Sequence, residues 1–271
     1  MIRKKAPDQE MQGVLATIVN KAAEQGVEDP SIVAVDAFMT AICHIGSKSL
    51  SHVLSYIDRC RVRLLVMVQD SDVAKRQIIN SVLEYWKDQP GVGISILDKL
   101  LNYSILSPMS VIDWTLVHDE SKGRKLSQNH VYELFYNTVI KVTSRIRQLA
   151  ERPRDTNSAE EQAQQLEKDH QEEVAKMRLE LRQLSEVIEA QLVSISNSHA
   201  DEMSQDAATG DEETMIKWWA DQWLRAYRRL FAVEDAVVND ILEARQYPIH
   251  VPQAATSGEA DISEMLTKEE W

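Results

Sequence analysis

Four things are scarce in this sequence, and each scarcity excludes something. No stretch approaches the ~18 consecutive apolar residues of a membrane-spanning helix. Only 2 cysteines occur in 271 residues, Cys43 and Cys60, both inside helical patterns. That is too few for a disulfide framework and points to a reducing compartment, cytosol or nucleus. Glycine and proline are sparse, 8 and 7, while 44% of the chain is hydrophobic, which fits a packed, mostly helical core rather than bulk disorder. Basic side chains are also in deficit: 30 Lys and Arg against 43 Asp and Glu leave a net charge of −13. Such a charge opposes a broad non-specific grip on nucleic acid. The opening MIRKKAPDQE is basic, with no apolar signal region behind it.

Catalytic patterns are missing as well. There is no phosphate-binding loop, and Gly91-Val92-Gly93 reads as a turn. No serine sits in a nucleophile elbow and no zinc-binding His–Glu–His signature occurs. His44 and His52, eight residues apart, have no carboxylate or cysteine at metal spacing and read as packing or partner contacts. Glu212-Glu213 and Glu269-Glu270 read as solvated charge runs rather than acid/base pairs. The expectation is no enzyme, no cofactor, no metal and no small-molecule substrate.

What is present is amphipathic helix, repeatedly. From Ile78 to Thr115 three short helical patterns follow one another almost without a gap. Ile78, Ile79, Val82, Leu83 and Trp86 form the first stripe, at steps of three and four. Asp88-Gln89-Pro90-Gly91 stops it. Ile94, Leu97, Leu101 and Ile105 form the second, with Asp98 and Lys99 left for solvent. The third opens on Ser107-Pro108, a capping hydroxyl followed by proline at the first helical position. Helices this short cannot bury their stripes alone, which is the grammar of stacked helical hairpins. The fold class expected is all-α, HEAT-like antiparallel hairpins of the ARM type.

Taken in order, residues 1–8 read as a disordered start and 9–150 as the hairpin solenoid. Within it fall helices at Met11–Ala23, from Asp29-Pro30-Ser31 onward, at Ser47–Val68 and at Gln128–Leu149. Residues 151–180 read as a projecting helical or coiled-coil insertion, opened by a capping-box pattern at Ser158-Ala159-Glu160-Glu161. Val174, Met177, Leu181, Leu184 and Ile188 make a heptad seam about two repeats long. Residues 181–247 read as the remaining core helices. They are interrupted by a flexible acidic linker at 198–213 and include the stripe Met215, Trp218, Trp219, Trp223, Tyr227, Leu230, Val237 and Ile241. Residues 248–271 read as an acidic tail whose Trp271 could anchor a docking contact. Trp86, Trp114, Trp218, Trp219 and Trp223 are assigned to the core, against the alternative of an aromatic slot for a base.

One local departure from the acidic balance stands out. Between Arg124 and Arg154 lie seven bases against two acids, Glu133 and Glu151. The plain reading is a solvated helix end favoured by the macrodipole. The sharper one is a patch for RNA or an acidic partner at Lys141, Arg145, Arg147, Arg152 and Arg154.

Three stretches carry a resemblance: VDAFMTAICHIGSKSLSHVLSYIDR (Val35 to Arg59), SVLEYWKDQPGVGISILDKLLNYSILSPMSVIDW (Ser81 to Trp114) and YELFYNTVIKVTSRI (Tyr132 to Ile146). Together with MRLELRQL (Met177 to Leu184) and the Trp-rich helix after Gly210, they resemble the family of large subunits of the nuclear cap-binding complex. The likeness is to its third, C-terminal domain, similar to the middle domain of initiation factor 4G. It implies a non-catalytic scaffold in the nucleus, shuttling to the cytoplasm, that supports a small RRM-containing subunit and meets capped RNA only indirectly. RNA-processing and export factors, in splicing, export and nonsense-mediated decay, are the further partners implied. The resemblance also implies a chain that begins inside the third domain, a fragment or truncated form of a longer protein. Exposed polar residues of the matched stretches, Lys48, Ser51, Asp98 and Lys99, are the candidate partner contacts. A stand-alone HEAT or coiled-coil adaptor and an initiation-factor-like interaction domain are the alternatives.

Overall fold

A computed structural model of the chain describes residues 2, 7–119, 121–153, 160–201 and 207–246. It is all-α, with no strand among the described residues. Nine α-helices are described: α1 (Asp8–Glu24), α2 (Pro30–Gly46), α3 (Leu50–Val68), α4 (Asp72–Tyr85), α5 (Pro90–Asn102), α6 (Pro108–Ile112), α7 (Asn129–Ala150), α8 (Glu160–Asp201) and α9 (Ala207–Gln246). A π-helical turn, Asp113–Val117, continues α6, and a 3-10 turn, Arg124–Ser127, precedes α7.

Local chemistry sets the helix starts. Asp29 accepts from the Ser31 N–H ahead of Pro30, Ser49 from the His52 N–H, and Ser71 from the Ala74 N–H. Each cap satisfies one of the backbone donors that a helix start leaves unpaired. Ser107 and Ser110 exchange side-chain and backbone bonds in a reciprocal capping box at α6, with Pro108 inside it.

Packing follows the hairpin order and then doubles it. α2 lies against α1, α3 and α4, α3 against α5, and α5 against α7, so alternate helices stack as well as neighbours. Met39, Ile42, Val53, Ile57, Ile78, Ile79, Val82, Ile96, Leu97 and Leu100 are sealed from water in one continuous core. At the α2–α3 turn Gly46 allows this approach, because a Cβ there would meet the Val53 backbone at 2.6 Å. Gly123, at φ 90°, takes a left-handed turn that sets its Cα against Ile216 of α9.

Four expectations are corrected. Asp8 opens α1 and pairs through both carboxylate oxygens with Arg63 of α3, and Ile2 packs on the core, so the start is held where it is described. The helical insertion does not stand free up to Leu181. His170 and Val174 are already buried, and α8 packs along α9. The cause is the end of α7, whose last carbonyls need donors. His170 Nε2–H donates to Leu149 O at 2.7 Å, and Arg245 of α9 donates to Ala150 O at 3.1 Å and to Arg152 O. The same guanidinium holds Glu167 of α8 through two bonds of 2.9 and 3.0 Å.

The acidic linker is also shorter than expected. Residues 198–201 continue α8 and 207–213 belong to α9, where Glu212 binds Arg124 at 2.6 Å. Finally, the buried face of α9 keeps Trp223 and Tyr227 of the expected stripe but takes Ile216, Ala220 and Val238 in place of Met215, Trp218 and Val237. Trp218 is 52% exposed and Met215 50% exposed, whereas Trp86, Trp114 and Trp223 are buried as assigned. The contact of Trp223 with Phe135 of α7, ring centres 5.0 Å apart, fixes which side of α9 is buried. The tail 248–271, with Trp271, and the start of the capping-box pattern at Ser158-Ala159 lie outside the described residues.

Two measurements check this packing. Gly46→Ala should lower stability by about 1–3 kcal/mol in denaturant unfolding, since backbone rather than a flexible side chain must yield. Gly13→Ala in α1, with open space around it, should leave stability unchanged or raise it. Cys43 and Cys60 are free and buried, and burial pushes both thiols up to about 11. Ellman's reagent at pH 8 should therefore react with both in the native chain on the order of 100-fold more slowly than in denaturant.

Candidate protein-interaction surface

The residues expected at an interface do not form one cluster. Lys48 and Ser51 are exposed at the α2–α3 turn, where Ser49 Oγ lies 2.9 Å from Ser51 Oγ and 2.6 Å from His52 Nδ1. Asp98 and Lys99 sit on α5, half-buried rather than free in solvent. Lys99 Nζ approaches Asp58 of α3 at 3.9 Å and lies 4.4 Å from the Tyr103 ring centre. Arg61 of α3 covers the same ring at 4.9 Å. Asp98 pairs with Lys141 of α7, whose Nζ also donates to Asn102 Oδ1 at 2.8 Å. The structure thus joins Asp98, Lys99 and Lys141 in one mixed-charge strip across α3, α5 and α7. Ser51 lies seven residues before Asp58, roughly 10 Å along α3 at 1.5 Å per residue.

The candidate basic patch is largely neutralised by the same logic. Lys141 is taken by Asp98, Arg147 lies 3.8 Å from Glu234 of α9, and Arg152 lies 3.3 Å from Glu173 of α8. Arg145 is exposed, and Arg154 lies outside the described residues. Three of the four described bases therefore tie helices together instead of presenting a free cationic face. Among the described residues no group of His, Cys, Asp and Glu could hold a metal ion. His44 Nδ1 contacts Tyr85 OH at 3.4 Å and His52 contacts Ser49, both ordinary surface bonds.

A second polar feature escaped sequence reasoning. The π-turn after α6 places the Asp113 carboxylate between Arg76 Nη1 at 2.6 Å and His118 Nδ1 at 2.7 Å. Asp119 then caps the following turn, accepting from Ser121 N–H at 2.9 Å and Gly123 N–H at 2.7 Å, and lies 3.3 Å from Lys125. Lys125 in turn covers the Trp114 ring at 4.1 Å. These residues wall a groove against α2 and α4. The signal available in the sequence was the polar run Gln77, Asn80, Ser81 and Glu84 at helical spacing on α4, opposite its apolar stripe.

Stacked amphipathic hairpins joined by charged seams define a helical-repeat fold. Residues 1–236 match the MIF4G-like family, and the chain belongs to that family. Its relatives include nuclear cap-binding protein subunit 1 of Schizosaccharomyces pombe, 27% identical over 131 residues, 48% of this chain and 16% of that protein. Nuclear cap-binding protein subunit 1-B of Xenopus laevis is 23% identical over 159 residues, 57% of this chain and 20% of that protein. The human subunit 1 is 20% identical over 112 residues, 41% and 14% of the two chains. The chain therefore spans a fifth or less of the length of these relatives.

The strip's ion pairs are partly exposed, Lys141 23% and Asp98 47% by side chain, so water screens them. A double-mutant cycle with Lys141→Ala and Asp98→Ala should give a coupling of about 0.2–1 kcal/mol that shrinks in high salt. A coupling of several kcal/mol, insensitive to salt, would mean a buried structural pair instead.

Proposed function

We propose that this chain is a non-catalytic scaffold domain of a nuclear cap-binding complex, supporting a small RRM-containing subunit and offering docking surface to RNA-processing factors. The observation that carries the reading is the family match along residues 1–236, together with relatives named nuclear cap-binding protein subunit 1. The chemistry agrees with it. A mixed-charge strip whose pairs are weak can exchange an internal partner for an external one at little cost. Contact with the capped RNA runs through the small subunit, and the acidic chain itself leaves phosphate to its partner. The nucleus is the compartment that follows, with splicing, export and decay factors as the wider set of partners.

The anchoring of Glu167 and His170 into the α7–α9 end counts against a free helical arm as the binding element. It disfavours the stand-alone adaptor, which depends on such an arm.

The test is retention of a recombinant RRM-type small subunit from the same organism on the immobilised 271-residue chain, with and without a 7-methylguanosine cap analogue. The chain alone should not bind the analogue, and the pair should. Lys99→Glu should weaken retention by about ten-fold through like-charge contact at the strip. No retention at micromolar concentrations, or full retention by Lys99→Glu together with Lys141→Glu, defeats the assignment of this surface.

A further inference from the structure

The outer face of α4 borders a groove of about 610 Å³ between α2, α4 and the segment from the π-turn to α7. A neighbouring hollow of about 430 Å³ shares Gln77, Asn80, Trp114 and Lys125 with it. The backbone of α4 is saturated by its own bonds in mid-helix, so α4 reads whatever lies here through its side chains.

Two of those side chains are held in a fixed sense. The Trp114 indole N–H can only donate, and it lies 2.6 Å from Asn80 Oδ1. Asn80 must therefore turn its Nδ2 donors outward, where they have no partner among the described residues. Gln77 is set the opposite way. Its Nε2 donates to Asp36 Oδ1 and to Ser81 Oγ, both at 3.2 Å, which leaves Oε1 as an acceptor without a partner among the described residues. One turn of α4 thus presents a donor and an acceptor roughly 4.5 Å apart along the axis. One extended residue presents the complementary pair, its own N–H and C=O facing the same side of the chain.

Charge narrows the occupant further. The groove's cations are taken: Arg76 by Asp113 at 2.6 Å, Lys125 by Asp119 at 3.3 Å and Lys87 by Glu84 at 2.8 Å. Asp36 has no cation among the described residues. Hydroxyl and amide donors hold it in place, Ser81 Oγ at 2.6 Å and Thr40 Oγ1 at 3.5 Å besides Gln77. The uncompensated charge in the groove is therefore negative, on a chain of net charge −13. This disfavours phosphate and favours a cationic side chain.

We propose that this groove binds an extended peptide segment bearing arginine or lysine, with the main-chain N–H of one residue on Gln77, the C=O of the same residue on Asn80, and the cation on Asp36. An extended segment is required because a helical ligand would have no free peptide group to offer. The proposal is independent of the small-subunit reading, which concerns the strip across α3, α5 and α7.

The Trp114 indole N–H, at the floor of the groove, is a built-in reporter. The full chain is labelled with ¹⁵N, its Trp114 indole signal assigned with Trp114→Phe, and titrated with a blocked Gly/Ser peptide carrying one central arginine. The signal should move to saturation at millimolar peptide. Asp36→Asn, which keeps the size and shape of the side chain, should weaken binding at least about five-fold, as should citrulline in place of arginine. The citrulline peptide should bind the wild type and Asp36→Asn alike. N-methylation of the peptide bond beside the arginine should weaken binding while leaving the response to Asp36→Asn intact. An unmoved indole signal, equal affinity for Asp36→Asn with its melting temperature preserved, or an equal shift by a glutamate-centred peptide or a uridine hexanucleotide would each overturn the proposal.

Discussion

Helices of 13 to 22 residues, the length of most elements between α1 and α7, hold together in water only when an apolar face is covered. That constraint governs this chain. α2 is covered on three sides, by α1, α3 and α4, and its Met39, Ile42 and Cys43 are fully sealed. Because every helix from α2 to α9 packs on at least two other elements, none of these can be removed without exposing its neighbours. Burying one large aliphatic side chain contributes about 1.5–3 kcal/mol, so a single lost lid uncovers more than a domain's net stability. Core stripes therefore leave little freedom, and whatever specificity the molecule has must sit on the opposite faces.

The joint between the short hairpins and the long α8–α9 pair obeys the same constraint with different chemistry. Phe135 and Tyr132 of α7 meet Trp223 of α9 at 5.0 and 5.1 Å, an aromatic contact that fixes how α9 is rotated. At the far end Arg245 and His170 supply donors to the last carbonyls of α7. A guanidinium suits that position: its fork serves two carbonyls and a carboxylate at once, and its charge opposes the negative end of the helix dipole. Apolar rotation at one end and polar capping at the other hold α8 against its neighbours from Glu167 onward.

Features that depend on a residue and its near neighbours in sequence were legible there. The caps at Asp29 and Ser107, proline at the first helical position, the stop after Trp86 and the stripes of α4 and α5 all belong to this class. Features decided by what lies across the gap were not. Trp218 and Trp223 have the same local credentials, and only the position of Phe135 separates the exposed one from the buried one. Asp98 and Lys99 read as free surface charges because Lys141 and Asp58 are 43 and 41 residues away. Acidic composition at 198–213 suggested a linker, yet 198–201 lie in α8 and 207–213 in α9, where Glu212 pairs with Arg124. The π-turn at Asp113 has no periodic signature at all. It exists because one carboxylate serves both Arg76 and His118.

The two polar surfaces differ in a way that bears on how such a scaffold can serve more than one partner. On the strip each charge already has an opposite charge, so an incoming group competes with an internal one and gains mainly selectivity and encounter rate. In the groove the internal bonds do not satisfy the recognising atoms; they orient them. Asn80 is turned by Trp114 and Gln77 by Asp36 and Ser81, and the atoms left over point outward with their rotamers already fixed. Orientation of that kind removes part of the ordering entropy that binding otherwise loses. The middle of a helix has no free backbone to lend, so fixed side-chain amides are its means of reading another chain's main chain, and a compensated strip is a means of tolerating several chains in turn.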